Sequence, residues 1–254
     1  MHRFYLDPEQ CLRPPLVLTQ REAHHARDVL RLARGQEVIV LDGAGHQFHC
    51  KAQAVGPAGV VLEVLEKKAM PPPPCRVTLA QAIPKGKRLE TIIQKATELG
   101  AARIVPLLAE RVASRLDDPA AAQKAAKWRQ AAIEAIKQCG QPWLPRVQAP
   151  MTVEDFLARQ EPFDLALVGS LQAEGRHPRH YFDSFASEHG RRPQSLCVWI
   201  GPEGDFTPAE LHAIRQAGAK PITLGPLVLR SDTAAIATLA IVNYELAPPS
   251  RNQA

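Results

Sequence analysis

Two short loops carry the residue types best suited to chemistry. Residues 200–206 read Ile-Gly-Pro-Glu-Gly-Asp-Phe, and residues 224–233 place a second Gly-Pro pair ahead of an apolar stretch and an arginine. Glycine allows a backbone to approach a ligand closely, and proline fixes the bend. A pocket between such loops suits a flat ring held by backbone hydrogen bonds, with Glu203 and Arg230 as its charged groups. The same residues also fit two tight strand-to-helix turns whose charges are solvated.

The elements around these loops alternate between strand and helix. Apolar runs predict strands over Arg76–Ala82, Arg103–Leu108, Leu165–Gly169, Leu196–Ile200 and Pro221–Leu224. Helical spacing and end signals predict helices over Lys87–Leu99, Pro119–Cys139, a segment capped by Thr207, and Ser231–Leu246. This alternation indicates a parallel α/β sheet, whose ligands bind at the loops leaving the carboxyl ends of strands. Both loops leave such ends.

The chain changes character at the four prolines Pro71–Pro74. Such a run favours a stiff extended connector, so it marks a domain boundary. Ahead of it, one helix and several glycine-bounded strands are predicted, over Gln20–Leu32, Glu37–Leu41, Gln47–Val55 and Gly59–Leu65. We therefore expect a small β-rich domain over residues 1–70 and an α/β domain over residues 75–248.

Several familiar motifs are excluded. The Gly43-Ala44-Gly45 segment lacks the third glycine of a dinucleotide fingerprint, which argues against a nucleotide-dependent dehydrogenase. Gly86-Lys87 lacks the phosphate-loop pattern because Gln81 stands at the position of the first glycine. Histidines and cysteines show no metal-ligand spacing, so we expect no metal site.

Positive charge is concentrated in the middle of the chain. The 254 residues carry a net charge of +5, and residues 73–150 hold thirteen basic and six acidic residues. This pattern fits either solvated helix faces or a surface for a polyanion such as nucleic acid. Five scattered cysteines fit a reducing cytosol, and we find neither a signal peptide nor an apolar run of membrane-spanning length. We therefore expect a cytoplasmic protein.

Taken in order, short segments along the chain resemble the RsmE family, the 16S ribosomal RNA uridine-N3 methyltransferases of the SPOUT (α/β-knot) superfamily. The likeness runs almost end to end and depends on the order and spacing of the segments. They are Arg3-Phe4-Tyr5, residues 25–31 (HARDVLR), Leu41-Asp42-Gly43, residues 95–100 (KATELG), Pro106, Arg111, Trp128, Glu134-Ala135, Gln138, residues 201–204 (GPEG), residues 224–230 and Asp232-Thr233-Ala234.

The chain departs from the pattern of this family at four positions. Asp205 stands where the family usually has glycine, Asp232 where it has glutamate, Leu227 where it has a basic residue, and Gln141 where arginine is common. Asp232 keeps the negative charge of that glutamate on a shorter side chain. The other three positions bear on the geometry of the cofactor and RNA contacts.

The resemblance implies a PUA-like β-barrel that helps to hold RNA, followed by a parallel sheet whose C-terminal part is threaded as a trefoil knot. It also implies a homodimer with the site near the subunit interface. The expected cofactor is S-adenosylmethionine, bound in the knot loops. We expect its pocket to be formed by Gly169, Ile200, Gly201, Pro202, Gly204, Leu224, Gly225, Val228 and Leu229.

Methylation of uridine N3 makes two demands on the protein. The N3 proton must leave, and the charge that spreads onto the carbonyl oxygens must be stabilised. Arg230 is always charged and can donate two hydrogen bonds to a uracil oxygen, so we predict that it is catalytic. Glu203 is the second catalytic candidate, as proton acceptor or base-orienting group, although it fits a structural role in its loop as well.

The substrate implied is ribosomal RNA, within the small ribosomal subunit. The target uridine must be unpaired or flipped out, because N3 lies on the Watson–Crick edge. Aromatic residues make up only 5 % of the chain, so phosphate charge and RNA shape should dominate binding. The RNA-binding candidates are Arg3, Arg31, Lys85, Lys87, Arg88, Arg111 and Arg115.

Two alternatives remain open at this point. The chain fits another SPOUT methyltransferase that modifies a different base or a ribose 2′-oxygen, which the identity of the product nucleoside would decide. It also fits a non-catalytic RNA-binding protein on the same fold, although Arg230 and both Gly-Pro loops are intact. The final helix, Ser231–Leu246, is apolar on all sides, which predicts that it is largely covered within a homodimer.

Overall fold

Contacts between Cα atoms divide the chain into two units. The computed structural model describes residues 1–86, 88–111, 118–171 and 175–247, with the backbone alone for residues 118–122. The first unit contains Met1–Pro72 and Ile133–Leu144, and the second contains Pro73–Ala132 and the chain from Pro145 onward. The proline run falls at the border between them. Segment 133–144, by contrast, returns to the first unit without any signal in the sequence.

The first unit is built on a five-stranded sheet. Its strands are β1 (His2–Tyr5), β2 (Leu16–Leu18), β3 (Glu37–Leu41), β4 (His46–Gly56) and β5 (Gly59–Ala69). They lie in the order β1-β3-β4-β5-β2, with β1 parallel to β3 and the other pairs antiparallel. The inward side chains of β3, Val38 and Val40, are fully buried in a core that includes Phe4 and Leu62. Alternation along β3 therefore places one face of the sheet against that core.

The single helix predicted over Gln20–Leu32 is shorter than expected. Helix α1 covers Gln20–His24 and continues as a π-helical turn over His25–Val29. The chain leaves the turn at Arg31, whose φ of +53° is left-handed. Strands β1 and β2 and a 3₁₀ turn over Pro8–Cys11 were not predicted either.

Segment 133–144 completes the first unit. Ile133 and Ile136 pack against Tyr5, and the ammonium of Lys137 lies 2.8 Å from the carboxylate of Glu22. Gly45 accommodates the indole of Trp143, because a Cβ at this glycine would stand 2.3 Å from the ring. Side chains from the end of a long helix are therefore part of this unit's core.

The second unit is a parallel sheet flanked by helices, as predicted. Its strands are β6 (Arg76–Ala82), β7 (Arg103–Leu108), β8 (Arg146–Val147), β9 (Met151–Thr152), β10 (Leu165–Gly169), β11 (Ser195–Ile200) and β12 (Lys220–Ile222). Its helices are α2 (Arg88–Glu98), α3 (Asp118–Cys139), α4 (Val153–Ala158), α5 (Pro178–His189), α6 (Pro208–Gln216) and α7 (Ser231–Leu246). The strand order is β12-β10-β11-β6-β7-β8, with β9 paired to β7, and every pair is parallel.

Local signals account for the elements next to the candidate loops. Strand β11 is buried from Leu196 to Ile200, as expected for a strand covered on both faces. Thr207 Oγ1 accepts a hydrogen bond from Glu210 N, and the Glu210 carboxylate accepts one from Thr207 N. The predicted cap of α6 at Thr207 is therefore confirmed, as part of a capping box. The predicted strand Pro221–Leu224 is wrong at its end, since β12 stops at Ile222 and the next residues enter the loop.

No helix among the described residues is long and apolar enough to cross a membrane. The trefoil threading implied by the resemblance stays a prediction.

Candidate active site

The carboxyl ends of three strands meet at one edge of the parallel sheet. Gly169 at the end of β10 lies in register with Ile200 at the end of β11 and with Ile222 at the end of β12. The loops that follow these strands therefore start side by side. The sequence predicted loops at the ends of β11 and of the strand Pro221–Leu224, and the structure ends the latter at Ile222.

A cavity of about 260 Å³ lies between these loops. Eight of the nine predicted cofactor residues line it, together with both catalytic candidates: Gly169, Ile200, Gly201, Pro202, Leu224, Gly225, Val228, Leu229, Glu203 and Arg230. Most of its other walls are apolar or hydroxylic residues that were not among the predicted cofactor residues: Ser170, Leu171, Ile222, Thr223, Leu227, Ser231 and Ala234. A larger cavity of about 430 Å³ near Phe163 and Trp199 is lined neither by these loops nor by these charged groups.

Gly204 is the predicted cofactor residue that does not line the cavity. Its carbonyl oxygen accepts a 2.7 Å hydrogen bond from the Arg111 guanidinium instead. Arg111 was predicted to bind RNA, and in this structure it also supports the loop after β11.

Gly201 lies close to other atoms of its own loop. A Cβ at this position would stand 3.0 Å from Asp205 Oδ1 and 3.2 Å from Phe206 N, so these neighbours would have to shift by a few tenths of an ångström. The sequence predicted that glycine here allows a ligand to approach closely. The structure adds that glycine also suits the tight packing of the loop.

Glu203 is joined to the connection between β6 and α2. Its Oε1 accepts hydrogen bonds from Lys85 N and from Arg88 Nη1, both at 3.2 Å. The structure thus brings two predicted RNA-binding residues next to a predicted catalytic one. Within the described residues both bonds fall on Oε1, so Oε2 remains able to accept a further hydrogen bond.

Arg230 is the N-cap residue of α7 and is exposed at the cavity. In the part of the chain that the structure describes, its guanidinium has no hydrogen-bond or ion-pair partner. Its backbone carbonyl accepts a 2.8 Å hydrogen bond from Ala234 N, which is the first hydrogen bond of the helix. The helix therefore fixes the position of Arg230 while its side chain remains available to a ligand.

A buried relay holds this part of the site together. Gln81 Nε2 donates to Ser231 Oγ at 2.9 Å, and Ser231 Oγ donates to the carbonyl of Gly201 at 2.7 Å. The end of β6, the first residue of α7 and the loop after β11 are thereby joined. Gln81 is fully buried. Its Oε1 is the one buried side-chain nitrogen or oxygen atom among the described residues that lacks a hydrogen-bond partner.

Comparisons with known proteins agree with this arrangement. A family model described as an RNA methyltransferase domain matches residues 71–243, and one described as an RNA methyltransferase PUA domain matches residues 18–65. The ribosomal RNA small subunit methyltransferase E of Bacillus subtilis is 32 % identical over 233 residues, 91 % of each chain. The chain belongs to the ribosomal RNA small subunit methyltransferase E family. The resemblance found in the sequence is thus confirmed.

Solved structures of other proteins have a fold similar to that of this family member. A methyltransferase of Legionella pneumophila, solved with bound S-adenosylmethionine, has a TM-score of 0.84 at 30 % identity, covering 95 % of this chain and 96 % of its own. The ribosomal RNA small subunit methyltransferase E of Neisseria gonorrhoeae, also bound to S-adenosylmethionine, has a TM-score of 0.82 at 26 % identity, covering 96 % and 97 %.

The remaining RNA-binding candidates of this family member lie in different settings. Arg3 donates to the carbonyls of Lys137 and Gln138, so its guanidinium is engaged with the end of α3. Arg31 is exposed in the first unit. Lys87 and Arg115 lie outside the described residues. The described residues contain no cluster of three or more potential metal ligands.

Proposed function

We propose that this protein binds S-adenosylmethionine in the cavity at the edge of the parallel sheet and transfers its methyl group to N3 of a uridine in small-subunit (16S) ribosomal RNA. One observation carries the proposal: the loops after β10, β11 and β12 form a single cavity that also contains the side chains of Glu203 and Arg230. The family relationship indicates RNA methylation, and the two charged groups suit the chemistry of N3.

The residues present fit the cofactor. Ile200, Ile222, Leu224 and Leu229 provide apolar walls for a flat ring, and Gly225 leaves one side open because no atom lies within 4 Å of a Cβ placed on it. Loops at the carboxyl ends of parallel strands offer backbone N–H and C=O groups for hydrogen bonds to such a ring. When bound, S-adenosylmethionine supplies an activated methyl group and a thioether leaving group.

The protein's own groups then act on the uridine. Glu203 accepts the N3 proton through Oε2, while Oε1 remains held by Arg88 and Lys85 N. Arg230 donates to a carbonyl oxygen of the uracil, where negative charge develops as the proton leaves. The N3 electron pair forms the new N–C bond, and the pair of the broken C–S bond stays on sulfur.

We also propose that the protein works as a homodimer. Only six of the sixteen residues of α7 are buried in the single chain, although the helix is apolar on every side. Ala240 is exposed, Ile236 and Ile241 are partly exposed, and Leu227 and Val228 near the helix are 77 % and 74 % exposed. A second copy would cover this apolar surface. Light scattering should give a dimer, and Ile236→Glu should give a monomer; a monomeric wild-type protein at micromolar concentration would contradict the proposal.

The first unit would assist by holding RNA, as its match to the PUA domain of RNA methyltransferases suggests. Because ribosomal subunits are assembled in the bacterial cytoplasm, the proposed activity is cytoplasmic. The carboxylate of Glu203 favours N3 methylation over a ribose 2′-oxygen, because the imide N3–H of uracil is far more acidic than a ribose hydroxyl and suits a carboxylate as proton acceptor.

Two measurements test the proposal. Titration calorimetry should detect S-adenosylmethionine binding to the isolated protein. Small-subunit RNA or particles that lack the modification should then yield N3-methyluridine when the nucleosides are identified by mass spectrometry. A 2′-O-methylated or other methylated nucleoside would support another specificity on this fold, and binding of RNA without any methyl transfer would support a non-catalytic role.

A further inference from the structure

Asp205 has an unusual place in the loop after β11. Its φ of +59° is left-handed, a conformation that costs energy for most residues other than glycine but is tolerated by aspartate. The residue is only 8 % exposed, and it lines the cavity. In the sequence, Asp205 stands out only as a departure from the usual glycine of the family.

The carboxylate of Asp205 joins two loops of the site. Oδ2 accepts hydrogen bonds from Ser170 Oγ at 2.9 Å and from Leu171 N at 3.0 Å, both in the loop after β10. Oδ1 accepts from Phe206 N at 2.8 Å in its own loop. The backbone of Asp205 also closes a turn by donating to the carbonyl of Pro202 at 3.0 Å.

These bonds act on the shape of the cavity, because Ser170 and Leu171 are lining residues as well. Leu171 is 65 % exposed, so packing contributes little to holding it in place. Hydrogen bonds to an ionised carboxylate are among the stronger polar contacts in proteins. One side chain thus fixes the rim contributed by β10 relative to the loop that contains Glu203.

We propose that Asp205 is a positioning residue of the cofactor pocket. Its carboxylate fastens Ser170 and Leu171 to the loop after β11, and the affinity for S-adenosylmethionine depends on this fastening. The inference rests on the proposed function and adds to it a residue that touches neither RNA nor the reacting atoms. Where the family usually has glycine, this chain fixes the rim through a side chain.

Asp164 provides a matched control. Its carboxylate also joins two segments through backbone N–H groups, from Gln194 and Ser195, but it lies at the start of β10 beside the other cavity. Loss of either carboxylate should lower the melting temperature. Only loss of the Asp205 carboxylate should lower the affinity for S-adenosylmethionine.

The test compares Asp205→Asn, Asp205→Gly, Ser170→Ala and Asp164→Asn by calorimetry with S-adenosylmethionine. Asp205→Asn should weaken binding about tenfold, the effect of losing one hydrogen bond to a charged group, and Asp164→Asn should leave binding unchanged. Glycine adopts the left-handed backbone conformation without strain, so Asp205→Gly replaces the asparagine variant in the binding measurement if that variant fails to fold. The effect of Asp205→Asn should shrink in the Ser170→Ala background.

Hydrogen exchange at the Leu171 amide gives a second measurement that does not involve the cofactor. Protection should fall in Asp205→Asn and persist in Asp164→Asn. Equal cofactor affinity of the wild type and both Asp205 variants would overturn the inference and leave the proposed function intact. If Asp164→Asn weakened S-adenosylmethionine binding as much as Asp205→Asn, Asp205 would contribute only to general stability, and the inference would be overturned as well. A wild-type protein without affinity for S-adenosylmethionine would overturn the proposed function itself.

Discussion

Glu203 and Arg88 form an ion pair, with 3.2 Å between Oε1 and Nη1, that joins the loop after β11 to the first residue of α2. One partner is the proposed proton acceptor and the other is a proposed phosphate contact. Both side chains are partly exposed, so the pair itself adds little to stability. Under the proposed function, an RNA phosphate that engaged Arg88 would come within reach of the proposed proton acceptor.

The two roles can be separated by substitution. Glu203→Gln keeps an oxygen that accepts from Arg88 and Lys85 N, but it cannot take a proton from N3. We expect the single-turnover rate to fall about 10²–10⁴-fold with RNA affinity nearly unchanged. Arg88→Ala should weaken RNA binding and reduce the log–log salt slope by about 0.7–0.9, with S-adenosylmethionine binding unchanged. A Glu203→Gln variant with the wild-type rate would show that the carboxylate only supports its loop.

Arg230 should act at the chemical step. Its guanidinium, which has no partner within the described residues, lies at the cavity and suits stabilisation of charge on the uracil oxygen. Arg230→Ala should lower the single-turnover rate about 10²–10³-fold, the usual effect of losing one charge-stabilising donor, and leave the salt slope of RNA binding unchanged. Arg215→Ala, an exposed arginine on α6, is the control and should have no effect on the rate. If Arg230→Ala weakened RNA binding alone, Arg230 would be a phosphate contact.

Ser231 should be needed for stability as well as for the site. Ser231→Ala removes the donor to the Gly201 carbonyl and one of the two acceptors for Gln81 Nε2, which keeps its hydrogen bond to the Ala82 carbonyl at 2.8 Å. The free energy of unfolding in urea should fall by about 1–3 kcal/mol. Thr233→Ala, exposed two residues further along α7, should change it by less than about 0.5 kcal/mol. Equal effects of the two variants would argue against the relay.

Much of this arrangement could be predicted from the sequence. Strands β6, β7 and β10 and helix α7 have the predicted bounds, because each is an apolar run ended by glycine, proline or charge. The two Gly-Pro loops were found because glycine allows backbone conformations that other residues avoid and proline fixes the bend beside it. Helix α5 was missed although His177 and Pro178 form an N-cap and first-turn signal that could have revealed it.

The contacts that organise the site could not be predicted in the same way. Gln81 and Ser231 are 150 residues apart, and Asp205 and Ser170 are 35 residues apart. Hydrogen bonds over such separations leave no periodicity in a single sequence. The family pattern even presented Asp205 as an irregularity, whereas three hydrogen-bond donors among the described residues reach its carboxylate.

The cysteines should differ sharply in reactivity. Burial raises the pKa of the Cys11, Cys50 and Cys75 thiols to about 12, and burial also raises the pKa of Cys197. Only the thiolate reacts, and Cys139 at the end of α3 is the one exposed cysteine. A colorimetric thiol reagent at pH 8 should therefore titrate one thiol quickly in the native protein and five in denaturant. Cys139→Ser should abolish the fast reaction, and two or more fast thiols in the wild type would contradict the burial.

Asp164 should make stability depend on acid pH. The Arg191 guanidinium first, and then the backbone N–H of Gln194, hold the pKa of this carboxyl well below its usual range. The folded state therefore binds the proton less readily than the unfolded chain, so the stabilisation is complete above the unfolded pKa of about 3.9 and is lost as the pH falls below it. Asp164→Asn should melt at a lower temperature than the wild type at pH 7, and the difference should shrink steadily as the pH falls from about 5 to 2.

Asp28 is the control for this prediction. Arg27 lowers the pKa of its carboxyl to about 2, yet both side chains are largely accessible to water. Screening keeps such an exposed pair from contributing much to stability, so Asp28→Asn should follow the wild-type melting curve at every pH. A difference between Asp164→Asn and the wild type that stayed constant from pH 7 to pH 2 would show that packing, and not the charge of Asp164, stabilises the start of β10.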